Sequence, residues 1–434
     1  MNFVIEGGKK LSGTVETGRS KNGAVALLAA SLLNRGTTTL EHMPKIEEVN
    51  RLIEVLRSIG VAVEERDTSV VITPPEILTL DTIDHAAAAK TRSILLFIGP
   101  LLHYFEFDAF DLPQSGGCAL GLRSIRPHQM ALEKFGVAIE AHSKSYRVTH
   151  EGLRPAEVVL SESSDTATIN ALLAAARIPG TSVIKYASAN YQMQEVCGFL
   201  KKLGVNIEGV GTTTLTVHGI TTIHKDVSYS VAQDPTDAMF FVAAAAVTGS
   251  AIEIMGAPIE FLEVELLVLE KMGLLFSLSA PRVSENGITK LVDISVEPST
   301  LVAFPEKIHA RPYPGLNIDN LPFFAVIATQ AEGTTLIHDW VYEKRAIYYT
   351  ELDRLGARTV LHDPHRISIE GRTELRAAEV VCPPALRPAT IILVAMLAAK
   401  GRSMLRNVYS INRGYEAIVR RLQHLGASIE VYAD

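Results

Sequence analysis

Six times along this 434-residue chain, a segment with apolar residues at helical spacing ends in an apolar residue and glycine, then runs into a short strand-like stretch. The copies read LRSIGVAVE around Gly60, LEKFGVAIE around Gly136 and LKKLGVNIE around Gly204. They return as LEKMGLLFS around Gly273, LDRLGARTV around Gly356 and LQHLGASIE around Gly426. Repetition at a near-regular interval means that one supersecondary unit is built several times over.

Each unit can be read locally. Glycine adopts the left-handed conformation that ends many helices without a Cβ clash. In the first copy Ile46, Val49, Ile53 and Leu56 form one apolar helical stripe. The VAVE or VNIE that follows alternates like a half-buried strand. Upstream of several copies lies a small-residue helix followed by a turn and another strand, as in AVALLAASLLNRGTTTLEHM, ALLAAARIPGTSVIKY, FFVAAAAVTGSAIEIM and AVIATQAEGTTLIHDW. Such helices show little polar face, which predicts burial on most sides.

The pattern predicts an α/β protein of two domains. Each has three repeats around a three-fold axis, with alanine-rich helices inside and sheets and amphipathic helices outside. Residues 20–231 would form the first domain, and 1–19 plus 232–434 the second, completed by the strands FVIEGG and LSGTVE. A single stacked array of repeats is the competing arrangement that periodicity leaves open.

Composition narrows the function classes. Lys and Arg total 41 against 48 Asp and Glu, a net charge of −7, which argues against tracking a nucleic-acid backbone. A small anion held in a locally basic pocket stays compatible with that balance. Cys118, Cys197 and Cys382 are too few and too scattered for a disulfide framework or a zinc site. MNFVIEGGKK lacks the apolar run of a secretory signal, and the most apolar stretches are too short to span a bilayer. The expectation is a cytoplasmic chain with neither a membrane nor a nucleic-acid partner, monomeric or weakly oligomeric.

Function should sit where the repeats differ, chiefly in loops. Lys21-Asn22 enters the first alanine-rich helix, where a cation beside free backbone N–H groups suits an anion. Cys118 lies among Gly116, Gly117 and Gly121 with Arg123, Arg126 and His128 close behind, a setting for a reactive thiol. Cys197 and Cys382 read as buried small hydrophobes. Asp319 in PYPGLNIDN is a candidate carboxylate or, equally, a turn or N-cap residue. Arg345, Arg387 and Arg413 fall between elements of the second half, and a guanidinium matches carboxylate and phosphate bidentately. HDPH at His362–His365 reads as a turn rather than a metal site.

Together these pieces resemble the enolpyruvyl transferase superfamily, and its branch that uses UDP-N-acetylglucosamine as acceptor. The likeness runs nearly end to end, through IEGGKKLSGTVETGRSKNGAVALLAASLL, IEEVNRLIEVLRSIGVAVE, KTRSILLFIGP, GGCALGLR, PYPGLNIDN, YEKR, the LRP segment and NRGYE. The resemblance implies transfer of the enolpyruvyl group of phosphoenolpyruvate to the sugar 3′-hydroxyl with release of phosphate, the first committed step of peptidoglycan precursor synthesis. It also implies a fold of two inside-out, barrel-like α/β domains, each with three βαβαββ-type repeats around a pseudo-three-fold axis, and no need for a metal or organic cofactor. Cys118 would be the acid and Asp319 the group that orients and deprotonates the hydroxyl. Lys21 would join them as a catalytic residue, and Lys21, Asn22, Cys118, Arg123, Arg345, Arg387 and Arg413 would hold phosphoenolpyruvate. Asn22, Arg92, Arg123, Ser164, Thr166, Asp319 and Val341 would meet the nucleotide sugar.

Four stretches depart from the family pattern: Ser124–Pro127, Ser164–Thr168, Asn190–Gln192 and Asp234–Asp237. Among them Asp165 brings a negative charge that a neighbour such as Arg126 must offset. These departures keep a different alcohol acceptor open. A non-catalytic six-repeat ring shares the repeat count, but has no use for a glycine-flanked cysteine or these loop arginines.

Overall fold

The computed structural model describes residues 1–105, 109–114 and 124–433. Gly60, Gly136, Gly204, Gly273, Gly356 and Gly426 all have φ between 87° and 100°. A side chain there would be strained, so the six glycines mark six helix ends. The described strands form six sheets of three to five strands. Among the described residues the sheets are separate and none closes into a barrel.

The repeating unit is clearest in the third copy. Strand Glu157–Val159, helix Asp165–Ala175 and strand Gly180–Lys185 make a parallel βαβ pair. Helix Tyr191–Leu203 follows, and strands Asn206–Glu208 and Thr214–Gly219 complete an antiparallel edge. The same mixture of one parallel and one antiparallel neighbour surrounds Thr38–Glu41, Ala251–Pro258, Gly333–His338 and Gly401–Arg406.

Two hydrophobic cores result. One draws on residues from Ala24 to Val231, the other on Phe3 to Val15 together with Ala238 to Ile429. In the second core the buried helices Pro235–Thr248, Leu321–Ala328 and Leu386–Ala398 touch one another. Small residues let their backbones approach, and the apolar faces have no side turned to water. In the first core the corresponding element of the second repeat is irregular: a 3-10 turn, Arg92–Phe97, continues into the short helix Ile98–Leu101. Pro100 within it has no N–H to give to a regular helix.

A second glycine position supports this packing. A Cβ on Gly7, Gly219 or Gly371 would lie 2.1–2.2 Å from a carbonyl oxygen at or just beyond the end of an interior helix, Leu386–Ala398, Asp165–Ala175 or Leu321–Ala328 respectively. No side chain fits there, so each of these strands packs directly under a helix end.

The chain exchanges strands where it passes between the cores. Ser12–Glu16 precedes the first interior helix but pairs with Ala251–Pro258, while Val227–Ser230 precedes the fourth and pairs with Thr38–Glu41. The two crossings run side by side, with Ser20 N donating to Ala232 O at 2.8 Å and Asp234 N to Gly18 O at 2.8 Å. Asp234 also accepts from Thr236 N, and Asp237 pairs with Arg421 at 2.6 Å. The Asp234–Asp237 departure therefore builds the crossing. Among the described residues no helix is long and apolar enough to cross a membrane.

Candidate active site

A cavity of about 770 Å³ lies between the two cores, and its lining comes from both. All ten expected site residues that fall within the described segments line it: Lys21, Asn22, Arg92, Ser164, Thr166, Asp319, Val341, Arg345, Arg387 and Arg413. Cys118 and Arg123 lie outside the described residues.

Asp319 is presented by a braced turn. Its N–H donates to Asn317 Oδ1 at 2.9 Å. The buried Glu265 accepts from Asn317 N at 2.9 Å and from Asn320 Nδ2 at 2.8 Å. Asn320, not Asp319, takes the N-cap position of helix Leu321–Ala328, which leaves the Asp319 carboxylate free to face the cavity. It lies 3.2 Å from Arg387 Nη2 and 3.9 Å from Arg345 Nη1, with its side chain 21% exposed. Burial alone would raise its pKa, but the two guanidiniums and Lys21 hold it below the ordinary value.

Each arginine has its own support. Arg345, 1% exposed, makes a two-point pair with the buried Asp339, Nε to Oδ2 at 2.6 Å and Nη2 to Oδ1 at 3.0 Å. Its Nη2 also donates to Ile318 O at 2.7 Å. Arg387, on the first turn of helix Leu386–Ala398, donates to Tyr415 Oη at 2.8 Å. Both stay charged despite burial because anionic and phenolic oxygens surround them. A guanidinium already fixed in place loses little freedom when it takes an anionic ligand.

Lys21 and Asn22 open helix Lys21–Ser31, with Ser20 as N-cap accepting from Gly23 N. The Lys21 ammonium lies 4.0 Å from Glu48 Oε1, and Asn22 Nδ2 donates to Tyr191 Oη at 2.9 Å. Glu48, 2% exposed, belongs to the first core, yet receives Arg413 Nη2 from the second at 2.6 Å. Burial works against its charge, but Lys21, Arg413 and the Thr91 hydroxyl pull its pKa down to about 2. Glu48 thus joins the halves and orders two cations of the cavity. Sequence reading passed over it because an acidic pair in a helix's first turn already has a reason to be there.

The wall from the first core is less charged. Arg92 Nη2 donates to Ser124 O at 3.1 Å. Ser164 caps helix Asp165–Ala175 by accepting from Ala167 N. Asp165 accepts from the Ser188 hydroxyl and from the Asn190 and Gln192 amides. Three neutral donors, rather than Arg126, therefore meet its charge. Burial nonetheless raises its pKa to about 6.

Elsewhere the expectations resolve simply. Cys197 and Cys382 are buried, with thiols pushed up to about 12 by burial. HDPH forms the turn between strands Arg358–Asp363 and Arg366–Gly371, where Asp363 accepts from the backbone of His365 and Arg366.

A family profile for EPSP synthase (3-phosphoshikimate 1-carboxyvinyltransferase) matches residues 5–422. The chain is 34% identical over 431 residues to the UDP-N-acetylglucosamine 1-carboxyvinyltransferase of Chlorobaculum parvum, covering 99% of this chain and 97% of the relative. Proteins of the same name from Bradyrhizobium diazoefficiens (33% over 433 residues, 99% and 98%) and Treponema denticola (32% over 429 residues, 99% and 99%) match as fully. Among solved structures, the enolpyruvyl transferase NikO from Streptomyces tendae superposes with a TM-score of 0.83 at 24% identity, covering 99% of this chain and 98% of that one. EPSP synthase from Acinetobacter baumannii gives 0.76 at 20% identity over the whole of both chains. These two likenesses speak for the fold.

Proposed function

Because the chain belongs to the EPSP synthase family of enolpyruvyl transferases, we propose that it moves the enolpyruvyl group of phosphoenolpyruvate onto the 3′-hydroxyl of UDP-N-acetylglucosamine and releases phosphate. The observation that carries this reading is a carboxylate, Asp319, held between two pre-positioned arginines in a cavity lined by both cores. Full-length relatives named for this reaction supply the acceptor.

The chemistry suits these residue types. The sugar hydroxyl forms a bond to C2 of phosphoenolpyruvate and gives its proton to Asp319, while C3 receives a proton from Cys118. The resulting tetrahedral adduct keeps both carboxylate and phosphate. A C3 proton then leaves to the departing phosphate or to water as the C2–O(phosphate) bond breaks, which restores the C2–C3 double bond and leaves the enolpyruvyl group on the acceptor oxygen. Arg345 and Arg387 would take the carboxylate, and Lys21, Arg123 and Arg413 the phosphate, with Asn22 bonding ligand oxygens. Such a cationic cage stabilises the adduct without reorganising at the moment of reaction.

Electrostatics also order the steps. While Arg345 and Arg387 face Asp319, their charge weakens it as a base. An incoming carboxylate that occupies those guanidiniums reduces their pull, so Asp319 becomes more basic when phosphoenolpyruvate is bound. Residues 20–231 would close against 1–19 plus 232–434 around the substrates, and the Cys118 segment would complete the site.

A different alcohol acceptor is the second reading, favoured by the unusual Asp165–Ser188–Gln192 wall. Incubating the protein with phosphoenolpyruvate and each candidate alcohol, and measuring phosphate release with product mass, separates the two. The proposal expects a UDP-N-acetylglucosamine product carrying one enolpyruvyl group. Release only with another alcohol overturns the acceptor, and no release with any alcohol overturns the reaction.

A further inference from the structure

Behind Thr166 lies a buried chain of hydrogen bonds whose direction can be read from the backbone groups at its far end. Asn170, on helix Asp165–Ala175, accepts from Gly99 N at 2.9 Å through Oδ1. Its Nδ2 donates to Leu95 O at 2.8 Å. An amide N–H can only donate and a carbonyl can only accept, so these two partners fix which end of the Asn170 amide is which. The second Nδ2 hydrogen then points to His128 Nδ1, 2.8 Å away.

His128 is buried, and that burial together with the nearby Arg92 cation holds its pKa down to about 3. In the neutral ring, an Nδ1 that accepts leaves the proton on Nε2. Nε2 lies 3.3 Å from Thr166 Oγ1, which therefore accepts from the ring and keeps its own proton for another partner. Thr166 is exposed on the cavity wall, and its hydroxyl makes no other hydrogen bond among the described residues.

We propose that His128 is a positioning residue that fixes Thr166 as a hydrogen-bond donor facing the cavity, so that the acceptor substrate meets this wall with an oxygen lone pair. The substrate half of this inference rests on the proposed function; the tautomer half does not. With the opposite tautomer, Thr166 would donate into the wall and offer the ligand only lone pairs. The relay thus selects between ligand groups that accept and ligand groups that donate, while leaving the reacting centre alone.

Two measurements test it. Nitrogen-15 NMR of the histidine-labelled protein without substrate, with His128→Gln to assign the signal, should show His128 as the neutral Nε2–H tautomer at pH 7. An Nδ1–H tautomer or a protonated ring overturns the relay whatever the enzyme's substrate. In steady-state kinetics with phosphoenolpyruvate and UDP-N-acetylglucosamine, Thr166→Val should raise KM for the sugar nucleotide about fivefold to tenfold, the effect of one lost hydrogen bond. The loss should appear in that KM rather than in kcat, and Thr166→Ser should recover most of it. His128→Gln should cost severalfold in the wild-type background and almost nothing once Thr166 is Val. An equal cost in both backgrounds would make His128 only a packing residue. An inactive wild type showing the Nε2–H tautomer would instead count against the proposed acceptor.

Discussion

On the wall built from the second core, Asp319 is ionised because guanidiniums flank it, whereas on the wall built from the first core, Asp165 is met by a hydroxyl and two amides. Both carboxylates line one cavity, but their pKa values move in opposite directions, down for Asp319 and up to about 6 for Asp165. The difference teaches how the cavity divides its work. Charged groups such as those around Asp319 can grip anions and respond when they arrive, while the neutral donors around Asp165 shape the fit of an uncharged or hydrogen-bonding part of a ligand.

The largest expected effect lies on the charged wall. Asp319→Asn should keep the fold and the affinity for the sugar nucleotide while lowering kcat about 10²–10⁴-fold, the usual contribution of a positioned proton acceptor. Rapid-mix turnover assays beside calorimetric binding check this; a pure affinity loss would make Asp319 a binding residue only. Next comes Arg387→Ala, which removes a prepared anion partner and should cost about 10²–10³-fold in kcat/KM for phosphoenolpyruvate. An Arg387 variant that weakened only the sugar nucleotide would erase the contrast between the walls.

A smaller effect is expected at the contact that joins the halves. Glu48→Gln removes the charge that Lys21 and Arg413 share, and should destabilise the protein by about 1–3 kcal/mol in denaturant unfolding. It should also raise KM for phosphoenolpyruvate as the two cations lose their common anchor. Stability unchanged to within a few tenths would mean that the Glu48–Arg413 pair does not hold the halves in solution.

The smallest effect should come from Asp165 and shows in pH dependence. Between its ordinary value of 3.8 and about 6, the folded chain holds a proton that the unfolded chain has released. This group's contribution to stability therefore falls as pH rises through that window. Asp319 has the opposite sign: its contribution is present above the ordinary value and lost as pH falls through the depressed one. Asp165→Asn should flatten part of the stability slope between about pH 4 and 6 while changing turnover less than threefold; an unaltered slope would remove the contrast.

Much of the scaffold was legible because it depends on local physics repeated six times. A left-handed helix end demands glycine wherever it occurs, and alanine-rich helices betray their burial. The glycines at 7, 219 and 371 escaped notice because their constraint is a close approach by a distant helix end, which leaves no local pattern. The irregular Arg92–Leu101 element likewise follows from Pro100 and from the Gly99 N–H bond to Asn170 rather than from apolar periodicity.

The site was legible where side-chain type nearly dictates chemistry, as for Lys21, Asp319 and the three arginines. Glu48 and Asp339 were not, because a buried carboxylate is recognisable only once its cationic partners are placed beside it. The offset to Asp165 was sought in Arg126, yet the fold supplies Ser188, Asn190 and Gln192, the last two within a stretch that itself departs from the family. Those changes belong together in space, which a reading along the chain does not reveal.

A crystal structure of the Asp319→Asn variant with UDP-N-acetylglucosamine and phosphoenolpyruvate tests the account most directly. It should place the sugar 3′-hydroxyl within about 3.2 Å of the side chain at position 319, with the carboxylate of phosphoenolpyruvate on Arg345 and Arg387. A sugar whose hydroxyl lies beyond reach of that side chain, or a phosphoenolpyruvate seated away from both arginines, would contradict it.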